Sequence, residues 1–304
     1  MRFVLRRLVH ALLQLASVSV LSFALMELAP GDYLDDMKVN PQIPAEAVER
    51  WRERYGLDQD LITRYGRWLG SAARGEFGLS MAYALPVSVL IQERAWRTAQ
   101  LSSVALLLTW SLAVPLGVAC AAHPDGIADR ALSGSTAVLL SLPDLLVGLL
   151  ILTAAIHWSL GPVSGKLVPA VLGLSLISFP AVFRHTRSAV RDALKGPFIL
   201  HLRALGIPEA RIVFLHALRS SMNPIIGLFG LSLAGLTSSS LIIEVTLSWP
   251  GLGPLLLESI LSRDVPVVLA AVLLSSTMLT AGNLAADLLL YASDPRIRVE
   301  DGPR

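Results

Sequence analysis

Residues 98–123 read TAQLSSVALLLTWSLAVPLGVACAAH, a run of 26 residues that contains no Asp, Glu, Lys or Arg. A helix needs about 20 mainly apolar residues to cross the roughly 30 Å hydrocarbon core of a bilayer. The whole chain has the same bias, because charged residues make up 16% of its 304 residues and its mean hydropathy is +0.62. Soluble domains contain about 25% charged residues. The run therefore indicates a membrane-spanning helix in an integral membrane protein.

Five further stretches of the chain are almost free of charged residues. They are residues 8–26, 131–165 with one interruption at Asp144, 167–183, 220–243 and 265–286. The predicted fold class is an all-α integral membrane protein with six transmembrane helices, near 8–28, 98–122, 131–157, 167–190, 220–246 and 265–291. The predicted domains are an N-terminal anchor (1–29), an outer segment (30–97), a membrane core (98–293) with an inner loop at 192–219, and a tail (294–304).

The first apolar run could also be a secretory signal peptide, because Arg2, Arg6 and Arg7 precede it. It is 19 residues long and no A-x-A cleavage pattern follows, so we interpret it as an uncleaved anchor. With the N-terminus inside, 14 of the 25 Lys and Arg residues lie in inner segments, seven of them between Arg184 and Arg219. Such a bias is typical of cytoplasmic loops. Both termini are therefore predicted to face the cytoplasm.

The outer segment contains two apolar stripes at helical spacing, separated near Gly56. The first stripe comprises Val48, Trp51 and Tyr55, and the second comprises Leu61, Tyr65, Trp68 and Leu69. This pattern predicts two amphipathic helices. They either form a cap that packs on the outer helix ends or receive a partner protein.

A short motif, SWPGLG at 248–253, follows the fifth predicted span. Its prolines and glycines end that span, and the apolar residues at 255–261 suit a helix too short to cross the membrane. Such a segment is tolerated at membrane depth only against protein or a water-filled cavity. The candidates for an outer gate of a pathway are therefore Trp249, Pro250, Gly251 and Gly253.

The inner loop contains the sequence GPFILHLRALG at 196–206. Pro197 suits the first position of a helix and Gly206 suits its end, which leaves about eight helical residues, or roughly 12 Å. The apolar residues of this stretch are Phe198, Ile199, Leu200, Leu202 and Leu205. Because a helix this short is not stable alone in water, something must cover it. The cover is the membrane surface or the chain's own helix ends, or else a groove on a cytoplasmic partner.

Sequence motifs for catalysis are missing. The nearest approach to a phosphate-binding loop, GPVSGKL at 161–167, has one residue too few between its glycines and lacks Ser or Thr after Lys166. No H-E-x-x-H motif or G-x-S-x-G elbow occurs. The single Cys120 excludes an intrachain disulfide and a cysteine-based zinc site, and a net charge of +2 is too small to indicate a nucleic-acid partner. We therefore do not expect this chain to be an enzyme.

Four ionisable residues lie in or near the predicted spans: Asp144, His157, Glu244 and Asp287. A charge at the bilayer centre is costly, so each is either a polar tie between helices or part of a substrate or proton path. Their positions favour polar ties. His157 next to Trp158 suits a pair at the outer membrane interface.

Several stretches, in order and at consistent spacing, resemble the inner-membrane permeases of bacterial ABC importers. The closer resemblance is to the first permease subunit of the dipeptide, oligopeptide and nickel group. The stretches are LRRLVHALLQL (5–15), LAPGD (28–32), RYGLDQDL (54–61), FGLS (77–80), RALGIPEARIVFLHALRSSMNP (203–224), SWPGLGPLLLESILSRDVPVV (248–268) and DPRIR (294–298). The resemblance covers essentially the whole chain.

The resemblance implies a type I ABC importer permease in the bacterial inner membrane. In such an importer the chain pairs with a second permease subunit, either a homologue or a second copy. Two cytoplasmic ATPase subunits bind ATP and Mg, and an extracytoplasmic substrate-binding protein delivers the solute. This chain is expected to contact lipid and these proteins, and to bind no nucleic acid, cofactor or metal of its own.

The family's short cytoplasmic helix docks into the ATPase and ends at a glycine that matches Gly206. The ATPase-coupling residues implied by the resemblance are Phe198, Leu202, Arg203, Ala204, Leu205 and Gly206. Leu200, His201, Leu202 and Leu205 make this helix more apolar than the family pattern. That departure bears on which ATPase binds rather than on the docking role.

The predicted function is ATP-driven import of small solutes by alternating access. Short peptides are the leading expectation, and nickel or another small solute of the same group is the alternative. A stand-alone channel or secondary transporter is the competing class. That class predicts paired, deeply placed ionisable residues and often an inverted repeat. The outer segment has no counterpart in the second half of the chain, which argues against such a repeat.

Overall fold

The computed structural model describes residues 2–28, 59–157 and 166–293, together with Pro44, Glu46 and Arg50. Within these residues the chain forms helices and no strand, apart from one isolated bridge between Leu79 and Pro86. The helices are α1 (Arg2–Leu28), α2 (Leu61–Ala72), α3 (Val87–Ala122), α4 (Ile127–Ser141), α5 (Asp144–His157), α6 (Leu167–Leu194), α7 (Pro197–Ala204), α8 (Glu209–Arg211), a π-helix (Ile212–Ala217), α9 (Leu218–Ser220), α10 (Met222–Thr246), α11 (Leu252–Leu261) and α12 (Val265–Ser293).

Five of these helices, α1, α3, α6, α10 and α12, are long and apolar enough to cross a membrane. A sixth span is possible if α4 and α5 are counted together, although the two meet at an angle of 107°. The predicted third span is thus broken rather than straight. The break lies at Leu142 and Pro143, where Leu142 takes an extended conformation with φ −88° and ψ 132°. Steric contact with a following proline disfavours the helical conformation for the preceding residue.

The second predicted span also differs from the structure at its start. The helix α3 begins at Val87 instead of residue 98 and includes Glu93, Arg94 and Arg97. Because of these charged residues, the first turns of α3 are not part of the apolar run in the sequence. Glu and Arg are nevertheless good helix formers. Pro115 lies inside α3 and Pro180 lies inside α6, and neither helix is interrupted.

The chain divides into two compact units, of which the first comprises residues 1–9, 98–249 and 278–304. In its described part α6 packs against α4, α5 and α10. One buried cluster includes Leu101, Leu174, Leu236 and Ile243, and a second lies beneath the inner loop. The second cluster supports the inner loop.

The second unit comprises residues 10–97 and 250–277. In it the Phe23 ring of α1 contacts Tyr65 and Trp68 of α2, with ring centroids 5.4 and 6.0 Å away. The Tyr65 hydroxyl and Ser19 Oγ are hydrogen-bonded at 2.9 Å. The second predicted amphipathic helix is therefore present as α2. The first, on 48–55, and the tail at 294–304 lie outside the described residues.

Candidate functional site

The inner-loop helix α7 has the bounds that its sequence predicts. Pro197 occupies the first turn, and Gly206 follows the helix with φ +75°. The Gly206 N–H donates to the Arg203 carbonyl at 3.0 Å, and the Ile207 N–H donates to the Leu202 carbonyl at 3.2 Å. These two bonds form a Schellman motif, which requires a left-handed residue at the position of Gly206.

Two side chains of α7 anchor it to the rest of the first unit. Ile199 and Leu202 are 2% and 7% exposed, and they belong to a buried cluster with Val190, Ile212 and Val213. Leu202 was predicted to contact an ATPase, and the structure instead places it inside the chain's own core. The chain itself therefore covers part of the apolar inner loop, as one of the two interpretations required.

The remaining apolar side chains of the loop are uncovered. Phe198, Leu200 and Leu205 are 59%, 69% and 64% exposed, and Phe214 and Leu215 of the π-helix are 63% and 54% exposed. We call these five residues the coupling surface. Phe198 also contacts the His216 ring, with centroids 6.0 Å apart. Ala204, Arg203 and Gly206, also predicted to couple, are exposed on the same loop.

The exposure of Phe214 and Leu215 was not predicted from the sequence, and the π-helix is the reason. A π-helix widens one turn and shifts the residues that follow it around the helix axis. Ile212, Val213 and Ala217 are buried while Phe214 and Leu215 point away from the core. The sequence contains one signal for this exposure, the run IVFL at 212–215. One face of a helix cannot bury four consecutive apolar residues.

An ion pair closes the turn that follows α7. The Arg203 guanidinium donates to both carboxylate oxygens of Glu209, at 3.1 and 2.5 Å. The hydrogen bonds from Arg203 hold the pKa of Glu209 below its usual range, and the same bonds raise the pKa of Arg203. Both side chains are about half exposed, so the pair contributes mainly to the geometry of the turn.

A second ion pair braces the helices behind the loop. Asp129 of α4 is 2% exposed, and Arg187 of α6 contacts both of its carboxylate oxygens, with one of the two bonds at 2.7 Å. The Asp125 N–H also donates to Asp129 at 3.0 Å, and Arg191 lies 3.7 Å from the Asp125 carboxylate. These contacts fix α4 against the helix that leads into the inner loop.

Of the outer gate candidates, Trp249 belongs to the first unit, and Pro250, Gly251 and Gly253 belong to the second. In the first unit Trp249 is 4% exposed, packs in the buried cluster with Leu101, and donates its backbone N–H to the Glu244 carbonyl at 2.8 Å. In the second unit Gly251 and Gly253 are buried at the start of α11, and Pro250 is half-buried. The predicted short apolar helix after SWPGLG is confirmed as α11.

A polar latch in the second unit was not predicted. Ser80 Oγ donates to Asp264 Oδ2 at 2.5 Å, and the Ala82 N–H donates to the same oxygen at 3.0 Å. The Tyr83 hydroxyl donates to Glu258 of α11. Burial and this hydrogen bond raise the pKa of Tyr83 to about 12, so it remains a donor at neutral pH. The latch fastens residues 80–83 to α11.

The ionisable residues of the spans have different surroundings. Asp287 lies 3.2 Å from Arg7, and Asp144 accepts a 2.7 Å hydrogen bond from Ser239. Glu244 is fully buried, and His157 is exposed at the end of α5. In the described ranges no three His, Cys, Asp or Glu residues are grouped so that they could hold a metal ion.

Comparison with known proteins supports this architecture. Residues 113–299 match the family "Binding-protein-dependent transport system inner membrane component", and residues 1–102 match its N-terminal companion family. The oligopeptide transport system permease protein AppB of Bacillus subtilis is 32% identical, over 97% of this chain and 98% of AppB. The dipeptide transport system permease protein DppB of Lactococcus lactis is 32% identical, over 98% of this chain and 99% of DppB.

A solved structure shares the fold. A chain of the MetNI methionine ABC transporter, in inward-facing conformations, aligns with a TM-score of 0.56 and 17% identity, over 67% of this chain and 96% of that chain. The predicted type I importer permease fold is therefore confirmed. From the family match and the fold together, this chain belongs to the inner-membrane components of binding-protein-dependent transport systems.

Proposed function

We propose that this chain is the permease subunit of an ATP-driven importer and that it forms half of a translocation pathway for short peptides. The observation that carries the proposal is the coupling surface, five exposed apolar side chains on a loop that the first unit supports from below. Exposed apolar patches of this kind are typical of interaction sites. The partner is a cytoplasmic ATPase subunit, because the sequence has no phosphate-binding loop of its own.

The charges around the coupling surface favour a protein partner over lipid. Arg203 and Glu209 lie beside it as a mutually satisfied pair, and Arg211 and Arg219 are exposed nearby. A membrane-facing patch would gain nothing from a carboxylate at its edge, whereas a protein groove can complement both charges. The uncovered side chains are then the part of the loop that a groove on the ATPase buries.

The construction of α7 suits the transmission of a movement. Its buried residues Ile199 and Leu202 pack against the end of α6. The Schellman motif at Gly206 and the Arg203–Glu209 pair fix the turn that follows α7. When ATP closes the two ATPase subunits, α7 moves as a rigid body and carries α6 with it. The spans then open the pathway to the outside, and hydrolysis returns them. Nucleotide can bias this switch only through contacts that differ between the two states, and α7 provides them.

Short peptides are proposed as the substrate because the similar proteins AppB and DppB are an oligopeptide and a dipeptide transport system permease protein. The proposed partners are a second permease subunit, two ATPase subunits and an extracytoplasmic substrate-binding protein. We assign ATP hydrolysis to the ATPase subunits, and we propose that the chain lies in the bacterial inner membrane with both termini in the cytoplasm.

The test is reconstitution of the complete complex in proteoliposomes with its binding protein and radiolabelled dialanine. We expect dialanine to accumulate only with ATP and binding protein, and this chain alone to transport nothing. Transport by the purified chain alone would refute the coupling proposal and favour a channel or secondary transporter. Stimulation of ATP hydrolysis by nickel but not by dialanine would refute only the choice of substrate.

A further inference from the structure

Asp144 is a half-buried carboxylate placed within the depth of the spans. It begins α5 directly after the break at Pro143, and it accepts a 2.7 Å hydrogen bond from Ser239 Oγ of α10. At a rise of about 1.5 Å per residue, Ser239 lies roughly 25 Å along α10 from Met222 and roughly 10 Å from Thr246. Asp144 therefore contacts α10 roughly 10 Å, or two turns, before its nearer end.

The packing of α5 on α10 holds Asp144 at this level. One turn after Asp144, a Cβ at Gly148 would stand 3.0 Å from a methyl carbon of Thr246 and 3.2 Å from Ile243 Cδ1. The helices α5 and α10 are thus parallel, because the chain runs in both from the Asp144–Ser239 contact to the contact of Gly148 with Ile243 and Thr246. A side chain at Gly148 would displace these atoms by a few tenths of an ångström, so the glycine allows α5 and α10 to pack closely in this register.

Other acids in the long helices of the first unit are differently placed. Asp129 pairs with Arg187, Asp287 pairs with Arg7, and Glu244 is fully buried. Among the described residues Asp144 has a neutral hydroxyl as its partner and no cation within ion-pair distance. A half-exposed intramembrane carboxylate without a cation is an arrangement that a cationic ligand would complete.

Leu145 and Leu146, which follow Asp144 in α5, are 52% and 39% exposed, whereas the part of α10 around Ser239 also presents small and polar residues. Gly235 and Ser238 of α10 are exposed, and a Cβ at Gly235 would meet no atom within 4 Å. The hydroxyls of Thr237 and Ser240 bond back to carbonyls of their own helix, whereas Ser239 reaches across to Asp144. A carboxylate is costly against lipid tails, so Asp144 is expected to face water, solute or protein in the assembled complex.

We propose that Asp144, oriented by Ser239, binds the positively charged group of the transported solute as it passes through the membrane. This inference rests on the proposed function, in which the solute is a short peptide with an N-terminal ammonium. An ammonium donates charge-assisted hydrogen bonds to a carboxylate, and these are stronger than bonds between neutral groups. Asp144 therefore favours solutes with a free amine and adds selectivity within the pathway.

The first test asks whether water reaches position 144, and it does not depend on knowing the solute. Cys120 is the chain's single cysteine and is 3% exposed, so Asp144→Cys can be made in a Cys120→Ser background. A membrane-impermeant cationic methanethiosulfonate reagent is applied to the complete complex with and without nucleotide. We expect labelling in at least one nucleotide state and protection by dialanine with the binding protein. No labelling in either state, or cross-linking of this cysteine to the second permease subunit instead, would overturn the proposal.

The second test measures uptake of dialanine by complexes that carry Asp144→Asn, which removes the charge but keeps an acceptor for Ser239. We expect the KM for uptake to rise about tenfold or more, as the loss of a hydrogen bond to a charged group implies. Asp144→Glu should recover part of this loss. The control is Glu93→Gln, which removes the same charge from an exposed acid near the start of α3 and should leave uptake unchanged.

The outcomes separate the inference from the proposed function. Failure of the wild-type complex to import dialanine would contradict the substrate proposal, while the labelling result would still decide whether Asp144 faces water. Unchanged uptake with Asp144→Asn would overturn the inference alone. Equal losses for Asp144→Asn and Ser239→Ala, both with a reduced yield of folded complex, would show a purely structural tie and would also overturn it.

Discussion

Gly206→Val tests the link between the inner-loop helix and energy coupling. Gly206 has φ +75°, and nothing lies within 4 Å of where its Cβ would be, so the substitution acts through the backbone and not through a clash. A residue with a side chain pays about 1–2 kcal/mol in this conformation, and a β-branched one more. If Val leaves the conformation, both Schellman bonds are lost, at about 0.5–1.5 kcal/mol each. The strain shifts the population of the correctly formed loop by about 5- to 30-fold, and the loss of both bonds shifts it by about 5- to 150-fold.

The assay compares dialanine uptake per ATP hydrolysed in proteoliposomes that contain equal amounts of complex. We expect this ratio to fall by at least about fivefold for Gly206→Val, with normal membrane insertion. Gly206→Asn should lose much less, because Asn tolerates the left-handed region. Gly134→Val is the matched control, since that glycine of α4 is also open to a Cβ but has no positive φ. Full coupling with Gly206→Val, or an equal loss with Asn and Val, would refute the backbone argument.

Three further predictions follow from the inner loop and its brace. Arg187→Leu leaves the buried Asp129 carboxylate without its cation and should lower the free energy of unfolding in detergent by about 3–5 kcal/mol. Replacing both residues should recover part of this loss. An unchanged melting temperature of Arg187→Leu would contradict the prediction. Because the Arg203 bonds lower the pKa of Glu209 in the folded chain, their stabilisation is present above the ordinary Glu pKa and is lost as pH falls through the lowered value. The protection factors of the amides at 202–207, corrected for the intrinsic pH dependence of exchange, should therefore fall in acid, and Glu209→Gln should remove that fall. Phe214→Asp should reduce co-purification of the ATPase without changing membrane insertion, and undiminished co-purification would exclude Phe214 from the docking surface.

The spans could be predicted because apolar runs of sufficient length have few alternatives to the membrane. The break in the third span could not, since Pro115 and Pro180 lie inside intact helices and Pro143 does not. At Pro143 the preceding residue, Leu142, is extended, and the following residue, Asp144, accepts a hydrogen bond from Ser239 of another helix. A proline permits a break, and packing of distant elements decides whether it occurs.

The candidate site was predictable where its signals are local. Pro197 and Gly206 are helix-end residues whose preferences follow from their own backbone chemistry, and the structure has both in place. The burial of Leu202 was not predictable, because its partners come from α6 and the π-helix. Phe214 was missed for the same reason, since a π-helix decides which of four apolar residues point outward.

The central claim is that the coupling surface binds the ATPase, and cysteine cross-linking tests it most directly. Phe214→Cys in a Cys120→Ser background is treated with a bifunctional maleimide in membranes that contain the complete complex, and adducts are identified by mass spectrometry. Ile156→Cys, equally exposed but at the far end of α5, is the control. We predict an adduct between Phe214→Cys and a subunit that carries a phosphate-binding loop, and none from the control. Adducts of Phe214→Cys confined to this chain, with the ATPase present and active, would contradict the account.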